Sequence, residues 1–294
     1  MGELDTAAEF IPKLGPLYFL DLGCAPGGFS LHVLRTNPEA RGVGLSLSES
    51  QGGRAFLLDE SYRSRFEHKE QDLLEYDHLP QACHAAGALR RTLPTAFLGH
   101  FDLVVMDGQP LRTYRPANMP DTPNTASPCC FALLLTQLII ALSSVRPGGT
   151  IVAKMFHPEC YPAAHLIYLL DAISDTLIVH KPSGMHATRA SFYVIAKGVA
   201  GEPGRARLME QYLDGLRALW HAFECGELAR ATRPAEECYG DLDFIIKAED
   251  ILDMDGYLPR LIELGRPVWA TQAKALRQFF IRQGLPNLPS AMDN

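Results

Sequence analysis

The chain has 294 residues, 47% of them apolar and 21% charged, the balance of a globular protein with room for one large domain or a domain with an appendage. No apolar run approaches the roughly 20 residues of a membrane span; the longest, 131–142, is interrupted by Thr136 and Gln137. Acidic groups (34) outnumber basic ones (27), giving net charge −7, which counts against a large nucleic-acid footprint and leaves any such contact to a local basic face.

The opening MGELDTAAEF has neither a basic patch nor an apolar core, so it does not read as a secretion signal. Gly2 ahead of Asp5 and Thr6 matches a myristoylation start only loosely. Residues 17–22 (LYFLDL) predict a buried strand, because their apolar run hardly alternates. A glycine-rich turn follows, then a helix from about 28 to 34. Further strands are expected at 43–47 and 66–70, and 78–93 reads as partly helical. FDLVVM at 101–106 is a buried strand, and 109–128, with five prolines, an irregular loop. An apolar helix over 131–145 is closed by Pro-Gly-Gly at 147–149. TIVAKMF at 150–156 is a strand and 161–171 a helix. Two closing strands, 177–180 and 191–196, flank a loop of small and polar residues. Strands alternating with helices predict an α/β, mostly parallel, doubly wound sheet, with an antiparallel pair at one edge.

Composition changes after Gly198, where Gly201-Glu202-Pro203-Gly204 reads as a linker. Leu208, Tyr212, Leu213, Leu216, Leu219, Trp220 and Phe223 then fall on one helical face, and 271–283 is a second helical stretch. The division expected is a domain over 1–199 and a helical C-terminal region over 200–294. Seven cysteines include no C-x-x-C pair, and Cys129 and Cys130 are adjacent, which reads as reduced intracellular thiols. No metal site stands out among the dispersed His and Cys residues.

DLGCAPGGFS at 21–30 carries the first chemical signal. Gly23, Gly27 and Gly28 permit tight turns and close ligand approach. A helix start offers free N–H groups and a positive dipole, suited to the carboxylate of the methionine part of S-adenosylmethionine (SAM). The spacing is not the G-x-G-x-x-G of a nicotinamide site.

This string resembles motif I of the FtsJ-like ribose 2′-O-methyltransferases. FDLVVMDGQP at 101–110, PGGTIVAKMF at 147–156 and KPSGMHATRASFYVIAKG at 181–198 continue the resemblance in the same order, from about Leu17 to Gly198. It implies a Rossmann-like SAM-methyltransferase fold, SAM as cofactor and an RNA ribose 2′-hydroxyl as acceptor. It places cofactor contacts at Asp21, Gly23, Cys24, Ala25, Pro26, Gly27, Gly28, Phe29 and Asp107. Ser46 stands where many SAM enzymes carry the acid that holds the ribose hydroxyls, and Asp72 matches the family's acid beside the adenine.

Asp107 and Lys154 end two apolar strands, the edge at which open α/β sheets bind ligands. A charge there is costly without purpose or partner. As residues alone the two can form an ion pair or a catalytic couple; the resemblance implies the catalytic aspartate and lysine. The family's Lys-Asp-Lys-Glu tetrad is incomplete. Ser191 takes the glutamate's position, with Arg189 two residues before it, and the lysine ahead of the glycine-rich loop, Lys13, lies too close to the first strand. Arg112, Tyr114 and Arg115 in one loop, and Lys181, His186 and Arg189 in another, are candidates for phosphate contact and base stacking. Three readings stand: a SAM-dependent methyltransferase of RNA, a SAM-binding module without catalysis whose C-terminal helices meet a protein partner, and a methyltransferase of a non-RNA substrate. The expected place is the cytoplasm or nucleus, away from membranes.

Overall fold

Strands that lie between two layers of helices have no wet face, so nearly every residue in them is apolar. The computed structural model, which describes residues 1–78, 91–111, 129–225 and 241–285, builds seven such strands into one sheet. They are β1 Leu17–Leu22, β2 Ala40–Ser46, β3 Phe66–Glu70, β4 Phe101–Met106, β5 Val145–Phe156, β6 Thr176–His180 and β7 Ser191–Val199. Their order across the sheet is β3-β2-β1-β4-β5-β7-β6. The first five pair in parallel, whereas β7 runs antiparallel to both β5 and β6. This is the mostly parallel sheet with an antiparallel edge that the sequence predicts.

The period of two along each strand sorts the side chains onto two faces. On one face Phe19, Leu103, Val105, Val152 and Ile195 pack with α1 (Gly2–Ala8) and α2 (Gly28–Thr36). On the other Leu20, Leu22, Val104, Met106, Ile151, Ala153 and Val194 pack under α3 (Cys129–Ser144) and α4 (Ala163–Ile173). The C-terminal helices α5 (Pro203–Cys225), α6 (Ala248–Leu252) and α7 (Leu258–Arg282) join this second layer. Tyr212, Leu216, Trp220, Leu261 and Val268 belong to the same buried cluster as the sheet. The Arg260 guanidinium adds a two-pronged contact to Asp171 of α4, at 3.1 and 3.2 Å.

Several bounds differ from expectation. Pro203, read as part of a linker, is the first residue of α5, where a missing N–H costs nothing. The Pro-Gly-Gly turn sits inside β5 as a bulge, between Val145 opposite Phe101 and Thr150 opposite Leu103. The helix expected over 271–283 starts at Leu258 and runs through Pro267. Most of 78–93 lies outside the described residues; Arg91–Thr92 forms a two-residue strand with Tyr76–Asp77. Among the described residues no helix is long and apolar enough to cross a membrane.

Candidate active site

The five parallel strands end at one edge of the sheet, and β7, running the other way, begins there. Asp21 is next to last in β1, Asp107 follows β4, Lys154 lies near the end of β5 and Tyr193 near the start of β7. Lys154 and Tyr193 are register partners. Alternation puts all four on the α1/α2 side, together with Val105, Val152 and Ile195. The Asp107 carboxylate stands between the other two: its Oδ1 is 3.2 Å from Lys154 Nζ and accepts the Tyr193 hydroxyl at 3.2 Å. Burial raises the Asp107 carboxyl, opposed by the Lys154 ammonium and the Tyr193 hydroxyl bond. The Tyr193 hydroxyl is pushed up by burial and by Asp107.

Beside this couple lies the glycine-rich loop. A Cβ on Gly23 would stand 2.3 Å from Gly108 Cα, so the loops after β1 and β4 touch backbone to backbone. The Gly23 and Cys24 amides donate to the Leu45 carbonyl at 2.8 and 3.2 Å, which leaves the first turn of α2 as the loop's ligand-facing part. Among the described residues no side chain caps that turn, and a Cβ on Gly28 would meet nothing within 4 Å. Asp21 is buried, accepts the Ser30 hydroxyl on Oδ2 at 2.5 Å and, among the described residues, has no partner on Oδ1. Burial pushes its carboxyl up to about 7, against the Ser30 hydroxyl bond. Phe29 reaches from the loop to the Tyr193 ring, 5.8 Å between centroids. Ala25, Pro26 and Gly27 complete the turn, with the Pro26 carbonyl accepting the Leu57 amide at 2.9 Å.

A third group forms at the ends of β2 and β3. The Ser46 hydroxyl is 2.8 Å from His68 Nε2, and its carbonyl accepts the Gln71 amide at 2.9 Å, next to Asp72. The Asp72 carboxylate caps the following turn through the Leu74 amide at 2.9 Å. Burial lowers the His68 imidazolium, favouring the neutral ring.

The loop between β6 and β7 is held at its base. Lys181, expected to contact substrate, is buried, and its ammonium donates to the carbonyls of Arg189 at 2.5 Å and Ser191 at 2.7 Å. His186 and Arg189 are exposed in the same loop, and the imidazolium of His186 is lowered by burial and by the charges of Lys154 and Arg189. Glu3 of α1 ties down the loop by accepting the Ser183 and Gly184 amides at 2.7 and 3.2 Å. Ser191 is buried opposite Phe156. Lys13 precedes β1, at the opposite edge of the sheet. Arg112, Tyr114 and Arg115 lie outside the described residues.

Residues 1–199 match the model of the FtsJ-like methyltransferase family. The chain belongs to that family. Its relatives include a protein of Danio rerio, cap-specific mRNA (nucleoside-2′-O-)-methyltransferase 1, 29% identical over 66% of this chain and 23% of that one. The Homo sapiens protein of the same name is 28% identical over 62% of this chain and 21% of its own length. A Caenorhabditis briggsae protein, inactive cap-specific mRNA (nucleoside-2′-O-)-methyltransferase 1B, is 24% identical over 71% of this chain and 24% of its own. The chain thus spans under a quarter of these relatives' length.

The family's cofactor is SAM, and the residues present fit it. Among the described residues the start of α2 is uncapped, which suits a carboxylate, the Asp21 Oδ1 is unpartnered, which suits an ammonium, and the space beside Gly28 is open. The sequence reading missed Tyr193, because a tyrosine in an apolar strand looks like core. It also missed Gln137, whose side-chain amide accepts from the Gly108 N–H at 2.9 Å and donates to its carbonyl at 3.1 Å. The signal for Gln137 was the polar pair interrupting an apolar helix.

Proposed function

We propose that this chain is a SAM-dependent methyltransferase acting on a ribose 2′-hydroxyl of RNA. The observation that carries the reading is the Asp107 carboxylate held between Lys154 and Tyr193, on the same side of the sheet as the glycine-rich loop. Bound SAM supplies an electrophilic methyl group. The first turn of α2 and Asp21 hold the cofactor's amino-acid end, while Ser46 and Asp72 serve its adenosine. Lys154 Nζ orients the attacking hydroxyl and receives its proton. To do so Lys154 must first give up a proton, and Asp107, whose burial favours its protonated form, is the neighbour that can share it. Tyr193 fixes the carboxylate. His186 and Arg189 stand exposed where an RNA phosphate can be met, and Arg112, Tyr114 and Arg115 are further candidates for the same strand. The names of the relatives make a capped RNA 5′ end the acceptor to test first, and an intracellular setting, cytoplasm or nucleus, follows from that substrate.

Labelled SAM with capped and uncapped RNA tests this directly. The wild-type chain transfers label to a 2′-oxygen, and Lys154→Ala lowers the rate about 100-fold or more while S-adenosylhomocysteine affinity stays within a few-fold. Normal transfer by the alanine variant would remove Lys154 from the chemistry. Ser191 in the glutamate position favours a second reading, a SAM-binding module without catalysis that engages a protein through α5–α7. Tight cofactor binding with no label on any RNA selects that reading; label on protein or a small molecule selects a non-RNA acceptor.

A further inference from the structure

The turn that leaves β5 gathers three metal-ligating side chains of different chemistry. His157, Glu159 and Cys160 are all exposed, and one donor atom from each lies within 4.8 Å of the other two. His157 Nδ1 is 3.4 Å from Glu159 Oε1. The turn is internally braced: the Cys160 amide donates to the His157 carbonyl at 3.0 Å, and the Cys160 carbonyl accepts the Ala164 amide of α4 at 3.1 Å. His157 has φ 51, in the left-handed region that non-glycine residues rarely occupy. The second oxygen of Glu159 accepts the Trp269 indole N–H of α7 at 2.8 Å. That bond holds one carboxylate oxygen and leaves Oε1 beside the imidazole.

We propose that His157, Glu159 and Cys160 form a zinc-class divalent metal site. One nitrogen, one oxygen and one sulfur suit a borderline-soft ion, whereas magnesium and calcium call for oxygen ligands. Three protein ligands leave the fourth tetrahedral position to water. The imidazole binds neutral, Glu159 as carboxylate and Cys160 as thiolate, so the two negative charges match a dication. The thiol proton passes to solvent on binding. Trp269 is the outer partner that orients a ligating carboxylate. The site clamps the end of β5 to α7, and because the His157 amide donates to Ala190 at 3.3 Å, it also steadies the end of the β6–β7 loop.

The full chain, freed of metal by dialysis against a chelator, is titrated with zinc chloride against a chromophoric competitor, and with cobalt chloride by absorption. About one equivalent of zinc binds per chain, and cobalt gives a thiolate charge-transfer band. His157→Ala and Cys160→Ser each weaken zinc binding about 10-fold or more, and Cys160→Ser abolishes the band. Trp269→Phe weakens binding less and keeps the band. Circular dichroism and S-adenosylhomocysteine affinity stay at wild-type values in all three, so loss of metal is separable from loss of cofactor binding. Zinc affinity unchanged in His157→Ala or Cys160→Ser, or a cobalt spectrum without sulfur ligation, overturns the assignment.

Discussion

Asp107 takes two donors on one carboxylate oxygen, and each removes a different freedom. Lys154 supplies charge; Tyr193 supplies direction, since its ring is wedged against Phe29. Tyr193→Phe keeps the packing and deletes the bond. A hydrogen bond to a charged group contributes about 1.5–3 kcal/mol, so kcat should fall roughly 10-fold or more while cofactor affinity holds. Steady-state rates on a methylated RNA check this, and an unaltered kcat would make Tyr193 a packing residue. Asp21 acts on stability. Its carboxyl is raised from 3.8 to about 7 by burial, so the folded chain keeps a proton that the unfolded chain releases across that interval. The sign is therefore a loss of stability as pH rises through the interval. Asp21→Asn should flatten the dependence of Tm on pH there, measured by calorimetry without cofactor. Parallel curves for variant and wild type would refute it.

At the scale of elements, α3 does more than cover the sheet. Thr136 bonds the His78 ring and the Leu73 carbonyl, while its neighbour Gln137 brackets both backbone groups of Gly108. One helix thus pins the loops after β3 and β4 through two adjacent polar side chains. Gln137→Leu leaves the Gly108 N–H and carbonyl without their partner, at a cost of about 1–3 kcal/mol. A lower Tm together with weaker S-adenosylhomocysteine binding is the expected result; an unchanged Tm would show that the bracket contributes nothing. The strands and the glycine-rich loop were legible in the sequence because an uninterrupted apolar run and clustered glycines each have one cheap explanation. β3 is found where expected, at Phe66–Glu70. α1 escaped notice because seven residues make too few turns to display a period. The first half of α7 was hidden by Gly265-Arg266-Pro267, which reads as a break. There the glycine makes room for Trp269, whose ring a Cβ would meet at 2.5 Å. The setting of Lys181 is hidden for a related reason: a lysine in a polar loop looks solvated, and nothing local reveals that three carbonyls surround it.

Across the whole molecule, α5–α7 and the sheet share one apolar interior. Tyr212, Leu216 and Trp220 of α5 and Leu261, Leu264 and Val268 of α7 are buried in the cluster that includes the inner faces of α3 and α4. Each such side chain contributes about 1.5–3 kcal/mol by leaving water. A chain ended at Val199 keeps every residue of the candidate site and loses this cover. It should aggregate or melt without a cooperative transition, as read by near-ultraviolet circular dichroism against temperature. A sharp, reversible melt of 1–199 would show that the sheet stands alone.

The reversed direction of β7 separates two jobs that parallel strands would keep together. Its neighbours deliver their final residues to the reactive edge, but β7 delivers its first, so the span from Ser183 to Thr188 overhangs that edge while both its legs stay locked in the sheet. The overhang can therefore be lengthened or rewritten while its two legs stay paired and the glycine-rich loop after β1, on a separate connection, keeps its own bonds.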